Sequence, residues 1–234
     1  VLIDECRELF GEIYEQIPEL PFCNIWTAMQ LSSRLPKGAL FHMGVSNTRR
    51  CWNMFQLPES VESACNVGCC GIDGCVSTLV GASLVNPDRL CYVVVGDLTF
   101  FYDLNSLGNH HIGTNLRVVV VNKRRGKEFR WGIHYCNVFG DDADKFMAAA
   151  GHFGNKSPLL VKHYAEDLGF HYLSATTKEE FMTALSNFTN PQLSDHSMIL
   201  EVFTDSKDES EALYLMSHIQ RDAKGMVRSK LKDT

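Results

Sequence analysis

At 234 residues the chain can form one large α/β domain with a proper core, or two small ones. A net charge of −6, with no basic stripe interleaved with aromatics, argues against general nucleic-acid binding. No apolar run approaches a membrane span and no signal peptide opens the chain, so no membrane partner is expected and a reducing cytoplasm suits the free thiols best.

Residues 4–16 place Cys6, Leu9, Phe10, Ile13 and Tyr14 at helical spacing, and Pro18 and Pro21 close the segment. The chain opens at Val1 inside this pattern, as expected of a piece of a longer protein. Residues 22–35 read as a second amphipathic helix, stopped before Pro36. Residues 38–44 read as a strand running into the polar loop Val45-Ser46-Asn47-Thr48-Arg49-Arg50, a candidate ligand loop at a strand end. Residues 51–62 are mixed and read as an extended or mobile connection.

Asn66-Val67-Gly68-Cys69-Cys70-Gly71-Ile72-Asp73-Gly74 then leads into a small-residue helix through Ala82. It lacks the Gly-Lys-Ser/Thr of a Walker A loop and the spacing of a dinucleotide fingerprint. Cys65, Cys69, Cys70 and Cys75 cluster without paired C-x-x-C spacing, so zinc is not the favoured reading. Cys6, Cys23, Cys91 and Cys136 lie in apolar runs and read as buried thiols.

Two β-branched runs organise the chain. Val93-Val94-Val95 ends in Gly96-Asp97-Leu98-Thr99, and Val118-Val119-Val120-Val121 ends in Asn122-Lys123. Each suits a strand buried on both faces of a parallel sheet, and ligands of such sheets bind outside the carboxyl ends. A helix is expected directly after Gly96-Asp97, running to Leu107, with its N-terminus favouring an anion. A carboxylate beside a phosphate implies a cation between them, most often Mg²⁺. Asp97 also suits a plain helix cap.

Beyond the basic loop 122–130, helices are expected at 142–150 and 157–168, and a strand at 169–173. Thr177 with Glu180 has the pattern of a capping box opening a helix to Phe188. A core strand follows at 197–203, then an exposed closing helix at 208–224 and a fraying basic tail. Adjacent His110 and His111 are expected to point apart at a solvent-facing helix end. No Ser-His-Asp constellation is supported. The fold class is therefore α/β, a doubly wound, mainly parallel sheet with helices on both faces. Residues 1–21 are read as a helix and linker, 22–205 as the domain, and 206–234 as a helix and tail.

The order Asn66 to Gly74, Gly96-Asp97-Leu98-Thr99 with Tyr102-Asp103-Leu104-Asn105, then Asn122 to Phe129 resembles the thiamine-diphosphate-dependent enzymes, in their C-terminal, diphosphate-binding domain. Within that family it is most similar to the menaquinone-pathway synthases. The resemblance implies thiamine diphosphate and Mg²⁺ as cofactors. Asp97 would bind the metal with Asn122, and Gly96, Leu98 and Thr99 would meet the diphosphate. Ile72 would bend the cofactor, and the Cys70 carbonyl would accept from its aminopyrimidine. Ser46, Arg50 and Glu128 would face substrate, a small 2-oxo acid.

The sequence also departs from the family. Lys123 stands where the second metal ligand, an Asn, is usual. Asn122 could shift in, the Lys123 charge could replace the cation, or binding could be lost. Arg124 and Arg125 replace glycines. Val67 and Glu128 depart from the synthases' substrate residues and argue against their substrate pair. The activating Glu belongs to an N-terminal pyrimidine-binding domain, supplied by another subunit of a homodimer or homotetramer. The alternatives are a degenerate, non-catalytic relative and a different phosphate ligand in the same crevice.

Overall fold

The computed structural model describes residues 2–68, 70–123, 138–140, 142 and 156–230. In chain order the elements are α1 (Leu2–Glu15), α2 (Asn24–Ser32), β1 (Leu40–Met43), α3 (Asn47–Trp52), β2 (Glu62–Cys65), α4 (Cys75–Val85), β3 (Cys91–Gly96) and α5 (Asp97–Tyr102). A 3₁₀ turn (Leu104–Gly108) leads to β4 (Leu116–Asn122). Then follow α6 (Leu160–Asp167), β5 (His171–Ala175), α7 (Lys178–Phe188), β6 (Met198–Phe203) and α8 (Ser206–Lys230).

All six strands are parallel, in the order β2-β1-β3-β4-β6-β5. Side chains alternate across the central strands because strand residues point to opposite faces in turn. Tyr92, Val94, Val119, Val121, Leu200 and Val202 enter one apolar layer, with Leu31 of α2, Trp52 of α3, Phe181 of α7 and Met216 of α8. Val93, Val95, Val118, Val120 and Ile199 enter the other, with Val76 of α4, Phe100 of α5 and Val161 of α6. The doubly wound α/β reading therefore holds.

Moves toward the β5 edge place their helices on the second layer, and moves toward the β2 edge place theirs on the first. One handedness runs through every crossover, as parallel connections require. The chain leaves β1 toward one edge and β3 toward the other, so the topological switch point lies between their carboxyl ends. The two strands approach closely there. Gly44 N–H donates to the Val94 carbonyl at 2.7 Å, and a Cβ on Gly44 would stand 3.0 Å from that oxygen.

Several local expectations are corrected. The polar loop 45–50 is largely the helix α3, and residues 62–65 form an edge strand in what was read as connection and loop. The helix after Asp97 ends at Tyr102 and tightens into the 3₁₀ turn, rather than running to Leu107. The closing helix is longer than expected, and Ala212, Met216 and Ile219 are buried against the core rather than exposed. His110 and His111 follow the 3₁₀ turn, and their rings lie 3.8 Å apart rather than diverging. Thr177 does cap α7, accepting from Glu180 N–H at 3.2 Å, while the Glu180 carboxylate reaches Thr176 N–H at 2.7 Å. Cys69, Cys136, Arg124, Arg125, Glu128 and the helix expected at 142–150 lie outside the described residues.

Candidate functional site

Asp97 and Asn122 stand side by side at the carboxyl edge of the sheet. Gly96 is paired with Val121, so β3 and β4 end in register, and the residues following each share one edge. Asp97 is only 4% exposed and opens α5 directly behind Gly96, with Leu98 half-buried and Thr99 buried after it. With six residues, α5 carries little macrodipole, so an anion there depends mainly on side chains and local N–H groups.

Strand alternation sends Asn122 and Lys123 to opposite faces of the sheet. Asn122 Nδ2 donates to Glu201 Oε1 at 2.7 Å, and Tyr172 donates its hydroxyl to Glu201 Oε2 at 2.7 Å. Glu201 is 1% exposed. Burial raises its pKa, the two donors pull it back, Asp97 raises it further, and the net shift is upward. Its signal was present in the sequence as a single acid inside the apolar run of β6, yet it was not singled out.

Lys123 is half-buried on the other face. Burial draws its pKa down, while Glu209, Cys51, Asp97 and Cys23 raise it, and the net shift is upward. The thiols Cys23 and Cys51 are each pushed up to about 12, first by burial, and are neutral at ordinary pH. The carboxylates of Glu209 and Asp97 are therefore the charges that act on the ammonium at ordinary pH. Glu209, on α8, is 2% exposed and accepts from Asn24 N–H at 2.8 Å. Asn24 Oδ1 in turn accepts from Trp52 Nε1 at 2.9 Å, so α2 and α3 together fix the place where α8 delivers this acid. Nothing in the surface-helix pattern around Glu209 marked it beforehand.

Ser46 begins α3 beyond the end of β1, on the switch-point side. Its φ of 63° and ψ of −128° are costly for a residue with a Cβ. Cys70 has φ 54°, and these are the only non-glycine residues with positive φ among the described residues. Both had been nominated from the sequence, and strain of this kind concentrates at functional sites. Ile72 is half-buried against the second apolar layer. Asn66 Nδ2 donates to the Gly74 carbonyl and to Thr78 Oγ1, both at 3.1 Å, pinning the glycine-rich segment to α4. Ser77 N–H donates to Asp103 Oδ2 at 2.6 Å, joining that helix to the stretch behind Asp97. Arg50 is exposed on α3, donates to Asn47 Oδ1 at 3.4 Å, and lines a groove of about 440 Å³ with Arg49, Phe10, Tyr14 and Met216.

No protein-family profile matches the chain. Among curated proteins, the 2-succinyl-5-enolpyruvyl-6-hydroxy-3-cyclohexene-1-carboxylate synthase of Bacteroides fragilis is 32% identical over 198 residues, which is 84% of this chain and 34% of that protein. The chain is a relative of these synthases. The synthase of Phocaeicola vulgatus is 32% identical over 197 residues, 84% of this chain and 34% of that protein. That of Desulfotalea psychrophila is 32% identical over 178 residues, 75% of this chain and 30% of that protein. The chain thus spans about a third of the length of the synthases it matches.

The donor set separates the two expected cofactors. A diphosphate tail suits an edge where two strand ends meet beside the cationic Lys123 and strained backbone carries Ser46 and Cys70. For a divalent cation the oxygen donors at this edge are the Asp97 carboxylate and the Asn122 Oδ1, which the Glu201 contact does not use because Asn122 meets Glu201 through its amide nitrogen, while Lys123, next in the chain, offers none. Among the described residues, no group of three or more His, Cys, Asp or Glu side chains could hold a metal ion. Among the same residues, no helix is long and apolar enough to cross a membrane.

Proposed function

We propose that this chain is the diphosphate-binding domain of a thiamine-diphosphate-dependent enzyme that decarboxylates a 2-oxo acid and joins the product to an acceptor. The observation that carries the reading is that β3 and β4 end in register, bringing Asp97 and Asn122-Lys123 to one edge of the sheet, in a chain that resembles the synthases over most of its length. When bound, thiamine diphosphate supplies the nucleophilic carbon and the electron sink for loss of CO₂.

The chain's own residues hold and orient. Gly96, Leu98 and Thr99 border the diphosphate end beside Asp97. Ile72 packs from behind on the second apolar layer, so a group bent over it meets a backed surface. The Cys70 carbonyl, in its left-handed turn, is the acceptor for an amino group. Ser46 and Arg50 lie along one turn of chain, and a guanidinium suits a substrate carboxylate. A pyrimidine-binding domain, in a homodimer or homotetramer, would complete the site. Ser46 and Arg50 would then meet a substrate held between subunits, with Asp97 at the diphosphate end of the cofactor.

CO₂ release from pyruvate, 2-oxobutyrate and 2-oxoglutarate by the intact protein, supplied with thiamine diphosphate, tests the reading. Turnover of one of them is expected, with Asp97→Ala lowering it about 100-fold. A protein that binds the cofactor but releases no CO₂ from any of the three supports the second reading, a non-catalytic relative. Lys123, at a position where the resemblance calls for a metal ligand, is the observation that favours that reading.

A further inference from the structure

Glu201 is the single acid of β6, and it is buried in the sheet. A buried acid is costly unless its oxygens are engaged. Oε1 accepts from Asn122 Nδ2 and Oε2 from the Tyr172 hydroxyl, each at 2.7 Å. The two donors come from β4 and β5, the strands on either side of β6. A carboxylate oxygen accepts hydrogen bonds and donates none, so only the nitrogen end of the Asn122 amide can face it. The oxygen end, Oδ1, is thereby turned away from Glu201. Asn122 closes β4 next to Asp97, because Gly96 is paired with Val121. Its backbone carbonyl is already used, accepting from Thr204 N–H at 3.1 Å. The next side chain, the Lys123 ammonium, carries donors only.

We infer that Glu201, braced by Tyr172, is a positioning residue for a divalent cation: by holding the amide nitrogen of Asn122 it sets Oδ1 as the side-chain oxygen that β4 contributes beside the Asp97 carboxylate. The inference rests on the function proposed above and concerns the same site. Mg²⁺ keeps several waters and takes one or two protein oxygens together with phosphate oxygens, so these two side chains and a diphosphate suffice. Glu201 does not touch the ion. It acts through Asn122, as the hydrogen-bonding partners of metal ligands do elsewhere. The position that the resemblance assigns to the second ligand is then replaced by its neighbour in the chain, and the departure at Lys123 does not remove the metal.

Binding of Mn²⁺, a paramagnetic stand-in for Mg²⁺, to the intact protein with thiamine diphosphate tests it. The readout is loss of the free-ion signal in electron paramagnetic resonance, measured against thiamine diphosphate alone. The unaltered protein is expected to bind the ion. Asn122→Ala and Glu201→Leu should each weaken that binding about 10–100-fold, the usual cost of losing a ligand or the group that orients it. Glu201→Gln keeps an acceptor for the amide nitrogen and should stay within about threefold of the parent. Because Glu201 acts through Asn122, adding Glu201→Leu to Asn122→Ala should cost no further affinity. Unchanged Mn²⁺ binding in Asn122→Ala overturns the inference. So does a loss in Glu201→Gln as large as in Asn122→Ala, or a full further loss in the double variant. The comparison of Asn122→Ala with Glu201→Gln stands even where Glu201→Leu fails to fold. A protein that binds thiamine diphosphate but no Mn²⁺ overturns the inference and leaves the cofactor reading intact. No binding of thiamine diphosphate overturns both.

Discussion

Ser46 shows how the chain concentrates strain where chemistry is proposed. Its backbone sits at φ 63° and its side chain does not cap α3. A residue held in such a region costs on the order of 1–3 kcal/mol and stays there only where the surroundings impose it. Ser46→Gly removes the Cβ and the strain together, and should raise the unfolding free energy by about 1 kcal/mol in urea titration. The same change should raise KM for the 2-oxo acid if the hydroxyl meets substrate. A Gly variant no more stable than the parent would show that the turn is not strained. Ser46 was legible in the sequence through the resemblance, but its strain was not, because Ser carries no mark of positive φ. Asp97, Asn122 and Lys123 were legible because a polar residue closing a β-branched run can only be at a strand end. Glu209 was not, since its partner Asn24 lies on the other end of the chain and only packing unites them.

At the level of elements, the buried strands were readable and the edges were not. β3 and β4 are continuous apolar runs, which only a two-sided core produces. β2 is Glu-Ser-Ala-Cys, mostly exposed, and is a strand because β1 offers it hydrogen bonds. Its residues do not favour that state, so tertiary pairing overrides propensity. α3 was hidden in the same way: Asn, Thr and two arginines read as loop, and the buried Cys51 and Trp52 make it a helix. Glu201 is the element-level device closest to the site. It joins β4 to β5 from β6, through Asn122 and Tyr172. Glu201→Ala should cost about 3 kcal/mol in urea unfolding, because it removes the acceptor that the buried Asn122 amide and the half-buried Tyr172 hydroxyl share. Glu201→Gln keeps an acceptor for Asn122 and a donor for the Tyr172 oxygen, so a loss under about 1.5 kcal/mol is expected. Equal losses from the two variants would show that packing volume, not hydrogen bonding, is what the carboxyl contributes.

For the molecule as a whole, the decisive question is whether α8 is an appendage or part of the domain. Sequence patterning set residues from 206 onward apart as a closing helix and tail. In the structure α8 buries Ala212, Met216 and Ile219 in the first apolar layer and Glu209 beneath α2. Covering three such side chains is worth roughly 5 kcal/mol at the usual values for buried apolar groups. A domain of this kind is stable by about 5–15 kcal/mol in total, so that one helix carries a large share of the margin. Removing residues 206–234 from the intact protein should therefore abolish a cooperative thermal transition for this domain and increase binding of a hydrophobic dye. Glu209→Gln separates the electrostatic share from the apolar one. It retains the carbonyl oxygen for Asn24 N–H and all of the apolar contact, so calorimetry should show a cooperative transition close to the parent's. A truncated protein that still melts cooperatively, with unchanged dye binding, would make α8 an appendage.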